Sequence, residues 1–140
     1  MIKLLDLLKE NNPFVSRGGK ERVETYSLKR KTETENRIQQ YIKNGMKGNL
    51  YLSTNPITSL PSSLTRVEGD LDLSFTKITS LPDNLTVGGY LNLDYTPIIS
   101  LPSDLTVGGY LNLNRTPLSK KYSEEEIRAM VPNVKGKIFI

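Results

Sequence analysis

The chain of 140 residues has no cysteine and no histidine. The first absence removes disulfides, thiolate zinc sites and a cysteine nucleophile. The second takes away the commonest metal ligand and the side chain best suited to acid–base chemistry near neutral pH. No apolar run approaches the roughly 18 residues that span a bilayer, so no membrane partner is expected. The N-terminal MIKLLDLLKENN carries charges inside its apolar stretch and makes a poor signal peptide, which points to a cytoplasmic protein. No phosphate-cradling loop leads into a helix, because the pairs Gly88-Gly89 and Gly108-Gly109 precede strand-like alternation instead. Nothing in the sequence calls for a cofactor or a metal.

What is present suffices for one compact domain: 36% hydrophobic and 24% charged residues. The charge is uneven. Residues 1–47 hold eleven Lys/Arg against six Asp/Glu, a net of +5, while residues 48–140 hold eight against nine, a net of −1. The division is therefore a basic, helical N-terminal cap region over 1–47 and a repeat region with its own C-terminal cap over 48–140, built as a single compact unit.

The repeats begin with a near-duplication. LPDNLTVGGYLNLDYTPIIS at 81–100 returns as LPSDLTVGGYLNLNRTPLSK at 101–120. Gly-x-Leu-x-Leu, or its Ile equivalent, occurs five times, starting at Gly48, Gly69, Gly89, Gly109 and Gly136, with spacings of 21, 20, 20 and 27. Two residues before each glycine stands an apolar residue (Met46, Val67, Val87, Val107, Val134). A fixed period near twenty marks a solenoid, and apolar alternation marks a strand. Five short strands, one per repeat, must then stack in parallel. Ile57, Leu60 and Leu64, with their counterparts in the next two repeats, fill the space behind the sheet. The Leu-Pro steps at 60–61, 81–82 and 101–102 keep the return path extended. The glycine pairs suit corners needing positive φ.

Leu50-Tyr51-Leu52-Ser53-Thr54-Asn55-Pro56-Ile57 resembles the leucine-rich repeat, including its asparagine. The Ser-Leu-Pro-x-x-Leu turns are similar to those of the short bacterial repeats found in secreted effectors. Leu-Thr-Val-Gly-Gly-Tyr-Leu is similar to arrays in proteins of bacteria and their tailed phages. The resemblance covers residues 46–119. It implies an α/β leucine-rich-repeat solenoid of five short parallel strands, with an N-terminal helical cap region and a C-terminal capping helix. Thr76, Thr96 and Thr116 stand where the family has asparagine, so the turn is expected without the full asparagine ladder. The effector relatives with ligase activity rely on a separate domain using cysteine, and this chain has none.

A solenoid needs capped ends. At the C-terminus, Ser123 and Glu126 spell a capping box for a helix over 124–131, with Ile127, Met130 and Val131 facing the core. Near the N-terminus, Thr32 and Glu35 spell another for a helix over 32–43, with Ile38, Tyr41 and Ile42 buried and Gly45 ending it. Ile2–Lys9 reads as an amphipathic helix, and Phe14–Arg17 with Glu21–Leu28 as a hairpin around Gly18-Gly19.

Asp70, Asp72 and Asp94, on the expected concave face, are the only candidate catalytic cluster, and a solvated polar face explains them better than a catalytic pair does. An enzyme is not expected. A binding role is. Outward strand positions form columns on the concave face, rich in tyrosine, asparagine and aspartate, and tyrosine is favoured at binding hot spots. The candidate protein-binding residues are Tyr51, Asp70, Asp72, Tyr90, Asn92, Asp94, Tyr95, Tyr110, Asn112 and Arg115. Tyr90 and Tyr110 also suit plain stacking between neighbouring strands. A second candidate surface is the basic segment Arg17, Lys20, Arg22, Lys29, Arg30 and Lys31, for nucleic acid or an acidic protein. The reading that results is a non-enzymatic protein-interaction module, monomeric or a small oligomer. By the phage resemblance it extends to an adaptor or an inhibitor of a host defence protein. Nucleic-acid binding and a structural part in a larger assembly such as a virion are the alternatives.

Overall fold

The computed structural model describes residues 15–140, with side chains from residue 25 onward. The chain forms helix α1 (Val15–Lys43), then strands β1 (Leu50–Tyr51), β2 (Arg66–Val67), β3 (Leu71–Asp72), β4 (Thr86–Val87), β5 (Leu91–Asn92), β6 (Thr106–Val107) and β7 (Leu111–Asn112). Two short helices follow, α2 (Pro117–Lys121) and α3 (Glu124–Met130), and then β8 (Asn133–Val134) and β9 (Ile138–Phe139). The strands wind into a parallel solenoid with turns of about twenty residues. One sheet has five strands in the order β1-β3-β5-β7-β9; a second has four, β2-β4-β6-β8.

The five-stranded sheet is the one the alternation predicts, in the register expected from aligned glycines: Leu50, Leu71, Leu91, Leu111 and Ile138 pair in succession. The second sheet is not evident in the sequence. Val67, Val87, Val107 and Val134 fill space as expected, yet each also lies in a ladder of its own just ahead of the main strand. The signal is short: Thr-Val before Gly-Gly is a β-branched dipeptide, and two residues are too few for period-two alternation to show.

The coils enclose one core. Leu52, Leu73, Leu93 and Leu113, each one residue past a strand, and Leu64, Leu85 and Leu105 from the return path, are fully buried. Thr76, Thr96 and Thr116 are buried with them. Each hydroxyl donates to the carbonyl three residues back (Leu73, Leu93 and Leu113, 2.7–2.8 Å). Threonine thus holds the turn with one short bond, while the amide of Asn55 reaches the Ser53 carbonyl.

The glycine pairs are not corners of positive φ. Only Gly45 and Gly48 among the described glycines have it. Gly88, Gly108 and Gly136 are instead crowded by the preceding coil: a Cβ there would strike the carbonyl oxygen of Glu68, Gly88 and Gly109 respectively. Coils stacked at strand spacing leave no room for a side chain at this position. The left-handed backbone falls elsewhere, on Thr54, Phe75, Tyr95 and Arg115, at φ between 56° and 62°.

Both ends are capped, with two corrections. Residues from Val15 onward form one helix, not a hairpin followed by a helix; Phe14 and Ile2–Lys9 lie outside the described residues. The Lys, Arg, Glu and Gln content after Gly19 favours helix strongly enough to outweigh two glycines at about 1 kcal/mol each. Thr32 is accordingly no N-cap, and its hydroxyl bonds the Leu28 carbonyl in mid-helix. The stripe of Ile38, Tyr41 and Ile42 does pack on the core. Gly45 ends the helix in a left-handed turn, Gly45 N–H donating to Ile42 and Met46 N–H to Tyr41. At the far end the Ser123–Glu126 box is formed, and Ile127 and Val131 are fully buried. Helix α2 is an addition to the expected elements, although Thr116-Pro117-Leu118-Ser119 spells its own capping box with proline in the first turn.

The candidate binding face

The outward columns of the five-stranded sheet assemble as aligned, but the polar members are occupied. Asn49 Oδ1 accepts the N–H of Asp70 (2.8 Å), and Asp70 Oδ1 accepts the N–H of Tyr90 (3.0 Å). Each carboxamide or carboxylate thereby ties its coil to the next. In the next column, Asp72 Oδ1 accepts from Ser74 N–H and its hydroxyl, Asn92 Oδ1 from Asp94 N–H, and Asn112 Oδ1 from Asn114 N–H and Nδ2. These are turn-holding bonds within each strand end. Four of the residues expected on a binding surface therefore hold the scaffold as well.

The aromatic members are less committed. Tyr90 and Tyr110 stack with centroids 4.8 Å apart, Phe139 meets the edge of Tyr110 at 5.4 Å, and Lys137 Nζ lies 5.0 Å over Phe139. Along the other border of the face, Phe75 and Tyr95 stack at 4.9 Å, and the Arg115 guanidinium caps the pile 4.7 Å over Tyr95. Arg115 also grips both oxygens of Asp94, at 3.1 and 2.8 Å. The exchange of Asp94-Tyr95 for Asn114-Arg115 between the two duplicate repeats thus creates a contact between coils. Phe75, Lys137 and Phe139 are not among the candidates the sequence supplies. The signal for Phe75 is there, since it shares a column with Tyr95 and Arg115.

Burial raises the Tyr90 phenol to about 12, reinforced by the neighbouring Tyr51 and by the charges of Asp70 and Asp72. Tyr110 is raised for the same main reason, loss of hydration. An unfolded tyrosine ionises near 10. The neutral phenol of Tyr90 therefore favours the fold below pH 10, and that contribution is lost as pH rises from about 10 to about 12. Titrating phenolate absorbance should reveal a tyrosine ionising last and together with alkaline unfolding. In Tyr90→Phe that late step should vanish; its persistence would assign the step to another residue.

The basic segment is described for three of its six residues. Lys29 and Lys31 are exposed, whereas Arg30 is half-buried and donates to the Thr54 carbonyl (3.3 Å). Arg17, Lys20 and Arg22 lie in α1, with side chains outside the described set. Arg37, to which the sequence pattern gives no role, donates to the Tyr51 carbonyl at 2.8 Å. In the other four strands the carbonyl at that position accepts from the preceding coil: Asp72 from Leu52, Asn92 from Leu73, Asn112 from Leu93, Phe139 from Leu113. The first coil has no predecessor, and Arg37 supplies the donor instead.

Asp70, Asp72 and Asp94 line neither of two shallow hollows. These, of about 250 Å³ (Ser59, Leu60, Ser80, Leu81) and about 400 Å³ (Glu35, Ile38, Gln39, Pro61), lie on the return path and beside α1. Among the described residues no group of carboxylates is placed to hold a metal, and no helix is long and apolar enough to cross a membrane. The chain matches no protein-family model, no curated protein and no solved structure.

Proposed function

We propose that this chain is a protein-binding module of leucine-rich-repeat type that docks through the outer face of its five-stranded sheet. The observation that carries this is the border column. Phe75 and Tyr95 are 53% and 51% exposed while held at positive φ. A bulky residue in the left-handed region costs free energy, and here the ring gains no core burial in return. Exposed, pre-stacked aromatic side chains lose little entropy on binding and are the residue type that dominates interface energetics. The resemblance to phage arrays extends the reading to a phage-encoded adaptor or inhibitor directed at a host protein.

Phe75→Ala with Tyr95→Ala should weaken partner capture from bacterial lysate by about 30-fold or more, the loss of about 2 kcal/mol that marks a hot spot. Tyr90→Ala with Tyr110→Ala should do likewise from the opposite border. Undiminished capture by both double variants would move the interface off this face. Nucleic-acid binding through residues 17–31 has less support, because Arg30 is engaged by the first coil. A gel shift that weakens steeply with salt would restore it.

A further inference from the structure

Asp70 and Asp72 carry more charge than the fold asks of them. Asn49 performs the bond of Asp70 one coil earlier, and Asn92 and Asn112 perform that of Asp72 one and two coils later. A neutral amide suffices at both positions. The chain nevertheless places two carboxylates side by side, with Tyr51 and Tyr90 beside them. Each uses one oxygen, and no salt bridge to either occurs among the described residues.

A complementary surface lies in the same chain. From Thr25 to Lys29 every side chain of α1 is exposed, Tyr26 and Leu28 at 64% and 65%. Residues 17–31 hold six Lys/Arg against two Glu. The stretch Val15 to Lys29 is about 22 Å long, close to the roughly 19 Å spanned by five parallel strands. The two surfaces cannot meet within one molecule. Tyr41 bonds the Gly48 carbonyl, Arg37 that of Tyr51 and Arg30 that of Thr54. Helix α1 therefore runs antiparallel to β1 and has reached the end of the strand by Arg30, so everything before Arg30 lies beyond its own sheet face.

We infer that the occupant of the sheet face is the basic N-terminal half of α1 from a second copy of this chain, its cations set against Asp70 and Asp72 between the tyrosines. The inference rests on the reading of this face as a protein-docking surface and names its partner. The contact is heterologous, so it closes as a reciprocal dimer or continues head to tail.

Light scattering on the full chain over a concentration series should show a mass above the monomer at low salt, falling to the monomer at high salt as the charges are screened. Asp70→Asn with Asp72→Asn keeps the scaffold bonds and should associate at least about tenfold more weakly; so should Arg22→Glu with Lys29→Glu. Each variant retains one of the two surfaces, so an equimolar mixture should form a heterodimer and nothing larger. Circular dichroism of both variants should match the parent. A parent monomeric throughout, neutral variants that associate like the parent, or a mixture that stays monomeric would each overturn the inference. If such a monomer still captured a different protein through Tyr90 and Tyr110, the docking face would stand and only its occupant would change.

Discussion

Gly88→Ala is expected to lower the unfolding free energy by about 3 kcal/mol, the upper range for an overpacked site. The added methyl would collide with the Glu68 carbonyl oxygen, with the carbonyl carbon 3.1 Å and the Cα 3.7 Å away. All three are backbone atoms, so no rotamer change can relieve the contact. The coils cannot drift apart cheaply either, because Gly88 N–H donates to Val67 at 2.8 Å and Gly89 N–H to Gly69 at 2.9 Å. Gly48 provides the contrast. It has φ of +81° and nothing within 4 Å of the place a Cβ would take, so alanine there costs only the left-handed backbone, about 1–2 kcal/mol. Urea unfolding of both variants at unchanged m measures the two terms separately. Equal costs would mean that close approach between coils is not what reserves position 88 for glycine.

The same glycines show what can and cannot be read from the residues alone. Their recurrence locates every strand of the main sheet, including β9 behind a 27-residue gap. That works because a solenoid repeats one steric problem, and each solution leaves the same letters. The reason for the glycines is not legible, since a local φ requirement and a clash with a residue twenty positions away give the same letter. The N-terminal hairpin fails for a related cause: Gly18-Gly19 looks like a turn locally, and helix propensity on either side decides otherwise. For the candidate face, the columns are legible from period and register. The occupation of Asp70, Asp72, Asn92 and Asn112 by scaffold bonds is not, because a polar side chain on a sheet reads alike whether it points at solvent or at the next N–H. Arg37 is invisible for the opposite reason. Its bond answers a missing coil, and no pattern within the repeats records what the first repeat lacks.

The occupied polar column and the free aromatic borders divide the face by task. Asp72, Asn92 and Asn112 make equivalent bonds, so their column stiffens the strand ends against which Phe75, Tyr95 and Arg115 are held. Rigid presentation reduces the entropy lost on docking. The ion pair of Arg115 with Asp94 is solvent-screened on the arginine side and contributes little to stability. Its consequence is geometric, since it fixes the guanidinium over Tyr95 and closes that edge of the pile.

Leu91→Ala is expected to cost more than any surface change, about 3–5 kcal/mol, against a total of about 5–15 kcal/mol for a domain of this kind. Leu91 is fully buried at the middle of the Leu50–Leu71–Leu91–Leu111–Ile138 column. Its coil is held on both sides by both sheets and by the Thr96 hydroxyl, so the walls of the cavity cannot close in. Leu50 sits at the end of the same column, where the outer neighbour is a helix and not another coil. A helix can shift to fill part of the space, so Leu50→Ala should cost less, about 2–3 kcal/mol. The two variants should also unfold differently. A weakened end leaves the remaining coils stacked, whereas a weakened middle interrupts the nearest-neighbour contacts that couple the halves. Leu91→Ala should therefore broaden the urea transition and separate the helical signal from the tyrosine fluorescence, while Leu50→Ala keeps the two probes coincident. If both variants lose the same free energy in one sharp transition, the column does not behave as a chain of locked coils.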